Sequence, residues 1–143
     1  MGEWTFRSST ETTTVGVRVP ARLEQLTMLR ALAETVALIA DFALDEVTDI
    51  RLALDEVATS LIVDAAADSM IDCEFTYDTD KMFVHVSSVA ATDSVVGRAG
   101  FGWHIVRTLT DSIAAAQGSY DSVLGGYPTV IDFSWVRGAP NGG

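Results

Sequence analysis

Cysteine is almost missing from this chain: Cys73 stands alone among 143 residues, so neither an intramolecular disulfide nor a multi-cysteine zinc site can form. It lies in IDCEFTYD, a strand-like run in which a lone thiol reads as a small buried hydrophobe. Histidine is scarce as well. His85 and His104 have no Cys, His or carboxylate at ligand spacing, and no metal cluster can be argued from the sequence. Positive charge is the third shortage. Nine Lys and Arg face twenty Asp and Glu, giving a net charge of −11, and a surface so short of cations cannot displace the counterions of a phosphate backbone. Nucleic acid is excluded as a direct partner; a basic protein suits this surface, and the charge also serves solubility. The longest apolar run, VALIADFAL, is interrupted by Asp41 and is too short to span a bilayer. The start, MGEWTFRSSTETTTV, has neither the basic head nor the apolar core of a signal peptide, so a cytoplasmic location is expected.

What is present reads as one soluble domain. The hydrophobic fraction is 48% and the charged fraction 20%, ordinary for a globular protein. No 20 to 50 residue period and no low-complexity linker divides the chain. TVGVRVP alternates and ends at Pro20, predicting a strand over 14–19. From 21 to 41, apolar residues at Leu23, Leu26, Leu29, Leu32 or Ala33, Val36 and Ile39 or Ala40 have helical spacing. A second helix is expected over 45–68, its core stripe formed by Val47, Ile50, Leu54, Val57, Leu61 and Ala65. IDCEFTYD and KMFVHVSS form a hairpin around DTDK. A third helix over 100–112 and strands over 113–119 and 128–136 complete the order. Helices segregated from strands predict an α+β two-layer sandwich, with a mixed, mostly antiparallel sheet and helices on one face. The expected organisation is a flexible segment over 1–13, the domain over 14–136, and a flexible tail over 137–143.

Two stretches bear on function. On the second helix, RLALDEVATSLIVDAA puts Glu56 and Ser60 four residues apart, where they are neighbours on one helix surface. Asp55 and Glu56 diverge by about 100° around that helix and cannot flank one substrate bond as a hydrolytic pair. The second stretch, GRAGFGWHIVRTLTDSI, opens the third helix with Gly100 and Gly102. A helix start with glycines in front of it can receive an anion; the same glycines can also simply permit a tight turn under Phe101 and Trp103.

Together these stretches resemble the anti-sigma-factor serine kinases of the RsbW and SpoIIAB type, in the GHKL or Bergerat-fold ATPase superfamily, over about residues 14 to 136. The likeness is to the short, divergent actinobacterial members, and it implies a Bergerat-type ATPase fold. In that family the second helix carries E-x-x-x-N, whose Glu acts as general base or water-orienting group and whose Asn binds the Mg²⁺ bridging the ATP phosphates. Glu56 matches the catalytic Glu, while Ser60 stands where the Asn belongs. The family's D-x-G-x-G follows the hairpin; here the segment is SSVAATDSVV, with Ser87 or Ser88 at the place of the Asp and no glycine between Gly16 and Gly97. Asp93 could substitute only with a shifted loop. The G-x-G element is matched by Gly100 and Gly102, and Thr129 falls near the final G-x-T.

The resemblance implies two functions. The first is an anti-sigma factor that occludes an alternative sigma factor of the stress-response or sporulation type and is countered by a STAS-type anti-anti-sigma protein. The second is an ATP-dependent kinase that phosphorylates a serine of that antagonist. The nucleotide-binding positions would be Ser60, Gly100, Gly102 and Thr129, with ATP and Mg²⁺ as the cofactors. Arg30 on the first helix would face the partner, although a solvated helix charge reads the same way. A symmetric homodimer is also expected.

Overall fold

In a computed structural model of the chain, residues 11–93 and 103–138 are described. The elements are β1 (Thr13–Pro20), a 3₁₀ turn (Leu23–Gln25), α1 (Leu26–Ile39), α2 (Leu44–Val63), β2 (Met70–Tyr77), β3 (Lys81–Ala90), α3 (Trp103–Leu109), β4 (Ser112–Gln117) and β5 (Tyr127–Val136). The five strands form one sheet in the order β1-β2-β3-β5-β4, and every strand pairing among the described residues is antiparallel. This is the α+β two-layer arrangement expected, with the sheet antiparallel rather than mixed.

Strand alternation separates two faces. The inner face carries Ile71, Cys73 and Phe75 of β2, Met82, Val84 and Val86 of β3, and Ile131, Phe133 and Trp135 of β5, all buried. Against it lie Leu29, Ala33, Val36 and Ala37 of α1 and Ile50, Leu54, Val57 and Leu61 of α2 in one continuous core. The helical periodicities put these residues on one stripe each. One member of the expected α1 stripe stays out of it: Leu23 is 56% exposed in the 3₁₀ turn, and of the alternatives Ile39 and Ala40 it is Ala40 that is buried. On the outer face His85 Nδ1 and Asp132 Oδ1 meet at 2.6 Å. Nearby, Thr14 and Thr76 share a hydroxyl hydrogen bond across β1 and β2.

The helix ends follow from local chemistry. Phe42 N–H donates to Ala37 O, Asp41 N–H donates to Leu38 O, and Asp41 has φ +70°, a Schellman ending with Asp where glycine is usual. Arg137 seals that ending. Its Nη1 and Nη2 donate to Asp41 O and Ala40 O, its Nε donates to Thr79 O, and its guanidinium lies 4.4 Å from the centre of the Phe42 ring. Gly138 N–H then donates to Glu46 Oε2, while Glu46 Oε1 accepts Ala43 N–H at the start of α2. The tail expected to be flexible from 137 thus begins with two residues that are held to the helices.

α2 stops at Val63, five residues short of the expected end. Ala66 N–H donates to Val89 O and Ala91 N–H donates to Asp64 O, so residues 64–69 join the end of β3 instead of continuing the helix. Asp68, at φ +60°, turns the chain towards β2. α3 is likewise shorter than expected. It ends at Leu109, and Asp111 N–H donates to Ser134 O as β4 begins.

Candidate functional site

Glu56 and Ser60 occupy successive turns of α2, both half-buried, and neither has a hydrogen-bond or ion-pair partner among the described residues. Their neighbours Ala53, Val57 and Leu61 are in the core, which fixes the helix and so the direction of both side chains. Arg30 is not a free helix charge. Its Nε donates to Asp55 Oδ1 at 2.8 Å, tying α1 to α2 one residue before Glu56, and Thr59 Oγ1 lies 3.5 Å from the same carboxylate oxygen. Asp55 is therefore committed to the helix pair. Gly100 and Gly102 lie outside the described residues, as does the segment between them and Asp93.

Thr129 lies fully buried on the inner face of β5. Its hydroxyl donates to Tyr127 O and accepts a hydrogen bond from Gln117 Nε2 at 2.9 Å. The same Gln117 nitrogen lies 3.2 Å from Thr92 O, linking β4 to the residues that follow β3. Ser88 is opposite Thr129 in the β3–β5 register, and Gln117 is opposite it on β4. Ser88, Thr129 and Gln117 thus form a polar row on a face that is otherwise apolar. Ser88 is 6% exposed, and its Oγ and the Oγ1 of Thr92 have no hydrogen-bond partner among the described residues. Sequence reasoning identified Thr129 but passed over Gln117. The signal was available: in SIAAAQ, strand alternation puts Ile113, Ala115 and Gln117 on one side.

The donor chemistry bears on a Mg²⁺-nucleotide. Mg²⁺ takes a near-octahedral set of oxygens, and α2 offers it one carboxylate, Glu56, and the short hydroxyl of Ser60. No group of three or more His, Cys, Asp or Glu able to hold a metal occurs among the described residues. At the end of β3, Ser88 supplies an uncharged hydroxyl, and the Thr129 hydroxyl already has both a donor and an acceptor inside the protein. These residues do not fit the group. Cys73, fully buried on β2, has its thiol pushed up to about 12 by burial and then by the charge of Asp72, and is not a nucleophile at neutral pH.

No protein-family model matches the chain. Among curated proteins it is similar to the anti-sigma-F factor RsbW of Mycobacterium tuberculosis, in strains CDC 1551 / Oshkosh and ATCC 25618 / H37Rv. The identity is 36% over 99 residues, 69% of this chain. Over that stretch the chain resembles an RsbW-type anti-sigma factor. The match spans 59% of the length of those relatives. None of the described helices is long and apolar enough to cross a membrane. The Glu56 and Ser60 pair and the polar row at Thr129 are the two described features that coincide with the sequence motifs.

Proposed function

We propose that this chain is an anti-sigma factor that sequesters an alternative RNA polymerase sigma factor by occlusion, without nucleotide. The observation that carries the reading is the 36% identity over 99 residues to the anti-sigma-F factor. The donor set supports the nucleotide-independent form, since phosphoryl transfer depends on metal, phosphate positioning and a base acting together. In this reading a STAS-type anti-anti-sigma protein displaces the sigma factor, the protein works in the cytoplasm as a homodimer, and the fold is of the Bergerat type. α1 is the partner face. Arg30 serves it twice, since Asp55 fixes its Nε while its Nη groups have no partner among the described residues.

The test is a pull-down of purified sigma-F-type sigma factors with nucleotide removed by apyrase, followed by a radiolabel transfer assay on the anti-anti-sigma protein. Capture without label transfer is expected. No capture, together with transfer that Glu56→Gln abolishes, would establish a kinase instead. ATP with Mg²⁺ is expected to bind with a dissociation constant above roughly 100 μM, less than about 5.5 kcal/mol. Calorimetry checks this. Ser60→Asn should tighten binding if an amide oxygen is what the site lacks, and a micromolar constant in the unaltered chain would refute the reading.

A further inference from the structure

The connection between β4 and β5, GSYDSVLGG, holds three apolar side chains in water: Val123 is 93% exposed, Tyr120 58% and Leu124 48%. Exposed apolar residues are ordinary when scattered, but these three sit within five residues on one tightly bonded turn. The Asp121 carboxylate faces inward and accepts the N–H groups of Val123 at 2.9 Å and Leu124 at 3.2 Å. Asp121 N–H donates to Gly126 O, and Gly125 N–H donates to Asp121 O with Gly125 at φ +78°. The rings of Tyr120 and Tyr127 meet edge to face at 5.5 Å. At the base, a Cβ on Gly126 would stand 2.5 Å from Ala90 O and 2.7 Å from Val89 Cγ1, so the hairpin is packed directly onto the end of β3. The tip is preorganised, and little ordering cost remains for a partner to meet.

Its surroundings define the partner. Neither residues 52–80 nor residues 108–136 contain a Lys or Arg. The hairpin base meets the segment after α2, where Ala66 Cβ is 3.3 Å from that Gly126 position and where Asp64 and Asp68 lie; Asp93 follows β3 close by. An apolar tip, its Asp121 carboxylate bonded to the turn's own N–H groups, therefore rises from a base that carries the carboxylates of Asp64 and Asp93, while Asp68 has Arg22 beside it. The complement is an apolar cleft with a basic rim. Pairing of two tips is a poor alternative, because three side chains, the largest contributing roughly 150–250 Å², fall short of the roughly 800 Å² per partner of stable association.

We propose that the Tyr120, Val123 and Leu124 tip is an anchor that inserts into an apolar, basic-rimmed cleft of the sequestered sigma factor, adding to contacts made elsewhere on the domain. This rests on the sigma-binding reading above. Buried aromatic and aliphatic anchors of this kind carry a large share of binding energy and act mainly on dissociation.

The experiment measures binding of a purified sigma-F-type sigma factor by surface plasmon resonance to the full chain, to Val123→Ser/Leu124→Ser, and to Val136→Ser, whose exposed aliphatic lies away from the tip. Circular dichroism checks that all three are folded. The inference expects at least a ten-fold faster dissociation for the double variant and no change for Val136→Ser. Asp64→Asn/Asp68→Asn should leave dissociation within about two-fold while reducing the salt dependence of association. Equal dissociation in all variants overturns the anchor and leaves the sigma reading intact. No binding by the unaltered chain overturns both. Intact sigma affinity in the double variant, with loss of self-association in light scattering or of binding to phosphatidylcholine vesicles, assigns the tip to a second copy or a bilayer and also overturns the proposal.

Discussion

The inner face of the sheet changes character along its strands. Across its middle run two apolar rows, Val15, Phe75, Val84, Phe133 and Ile113, then Val17, Cys73, Val86, Ile131 and Ala115. One step further along β3, β5 and β4 the residues are Ser88, Thr129 and Gln117. The middle rows close on α1 and α2: their residues on β2, β3 and β5 are buried, and those on the outer strands β1 and β4 are partly buried against the same core. The polar row lies at the end of β3, beside residues 64–66, where two hydroxyls lack partners among the described residues. The difference is between packing that keeps the domain folded and polar groups that packing alone does not require. A buried hydroxyl contributes nothing to packing that a methyl would not, and leaving it unpaired costs about 1–3 kcal/mol. Such a group belongs to a place shaped by something other than stability.

The largest expected effect lies in the middle rows. Phe133 is fully buried and packs edge to face on Trp135 with ring centres 5.4 Å apart. Phe133→Ala should cost about 3–5 kcal/mol through lost burial and the cavity left behind. Urea denaturation checks this. A loss below about 1 kcal/mol would mean that the two ends of the sheet do not differ in packing as described.

Cys73, in the second row, sharpens the same contrast through pH. Its folded-state value of about 12 stands above the ordinary thiol value, so the unfolded chain loses its proton first as pH rises. Stability is therefore unaffected by this group below about pH 8, and falls as pH climbs towards 12, by about 2–3 kcal/mol at pH 11. Cys73→Val should keep most of the stability at pH 7 and show a shallower alkaline loss. Identical alkaline profiles for the two chains would show that the thiol is not sealed in the core.

Arg137 was out of reach of sequence reasoning, although it joins elements nearly a hundred residues apart. Its hydrogen bonds go to backbone carbonyls, and carbonyls leave no mark in the amino-acid pattern. Partial exposure reduces its contribution, and Arg137→Ala should cost about 1–2 kcal/mol. A truncation after 136, which also removes the Gly138 N–H to Glu46 bond and the Arg137 N–H to Asp80 O bond, should lower the thermal midpoint further than Arg137→Ala. The helices and strands were legible because their cores repeat at 3.6 and 2 residues: Val47, Ile50, Leu54, Val57 and Leu61 are core as spacing predicts, while Ala65, the last member of that stripe, lies past the helix end and is only half-buried. The end of α2 was not, since the pairing of Ala66 with Val89 is a long-range event that overrides helix propensity. The site divides in the same way. Glu56, Ser60 and Thr129 were found by motif, whereas the Arg30 to Asp55 bond and the Gln117 to Thr129 bond join residues distant in sequence.

Ser88 carries the smallest effect and the one whose sign matters most. If its hydroxyl is dry and unpaired, Ser88→Ala removes a desolvation penalty and should stabilise the domain by up to about 1 kcal/mol. If an ordered water or a bound small molecule satisfies it, the same change removes a hydrogen bond and should destabilise by about 0.5–1.5 kcal/mol. Gln117→Ala provides the reference. It takes away the donor to Thr129 whether or not anything else is bound, so it should destabilise in both cases. Denaturation of both variants, with and without millimolar ATP, separates the alternatives. Stabilisation by Ser88→Ala that nucleotide does not alter is expected, and would mark this end of the sheet as the remnant of a ligand site. Destabilisation by Ser88→Ala that deepens when ATP is present would show that the polar row still holds a ligand.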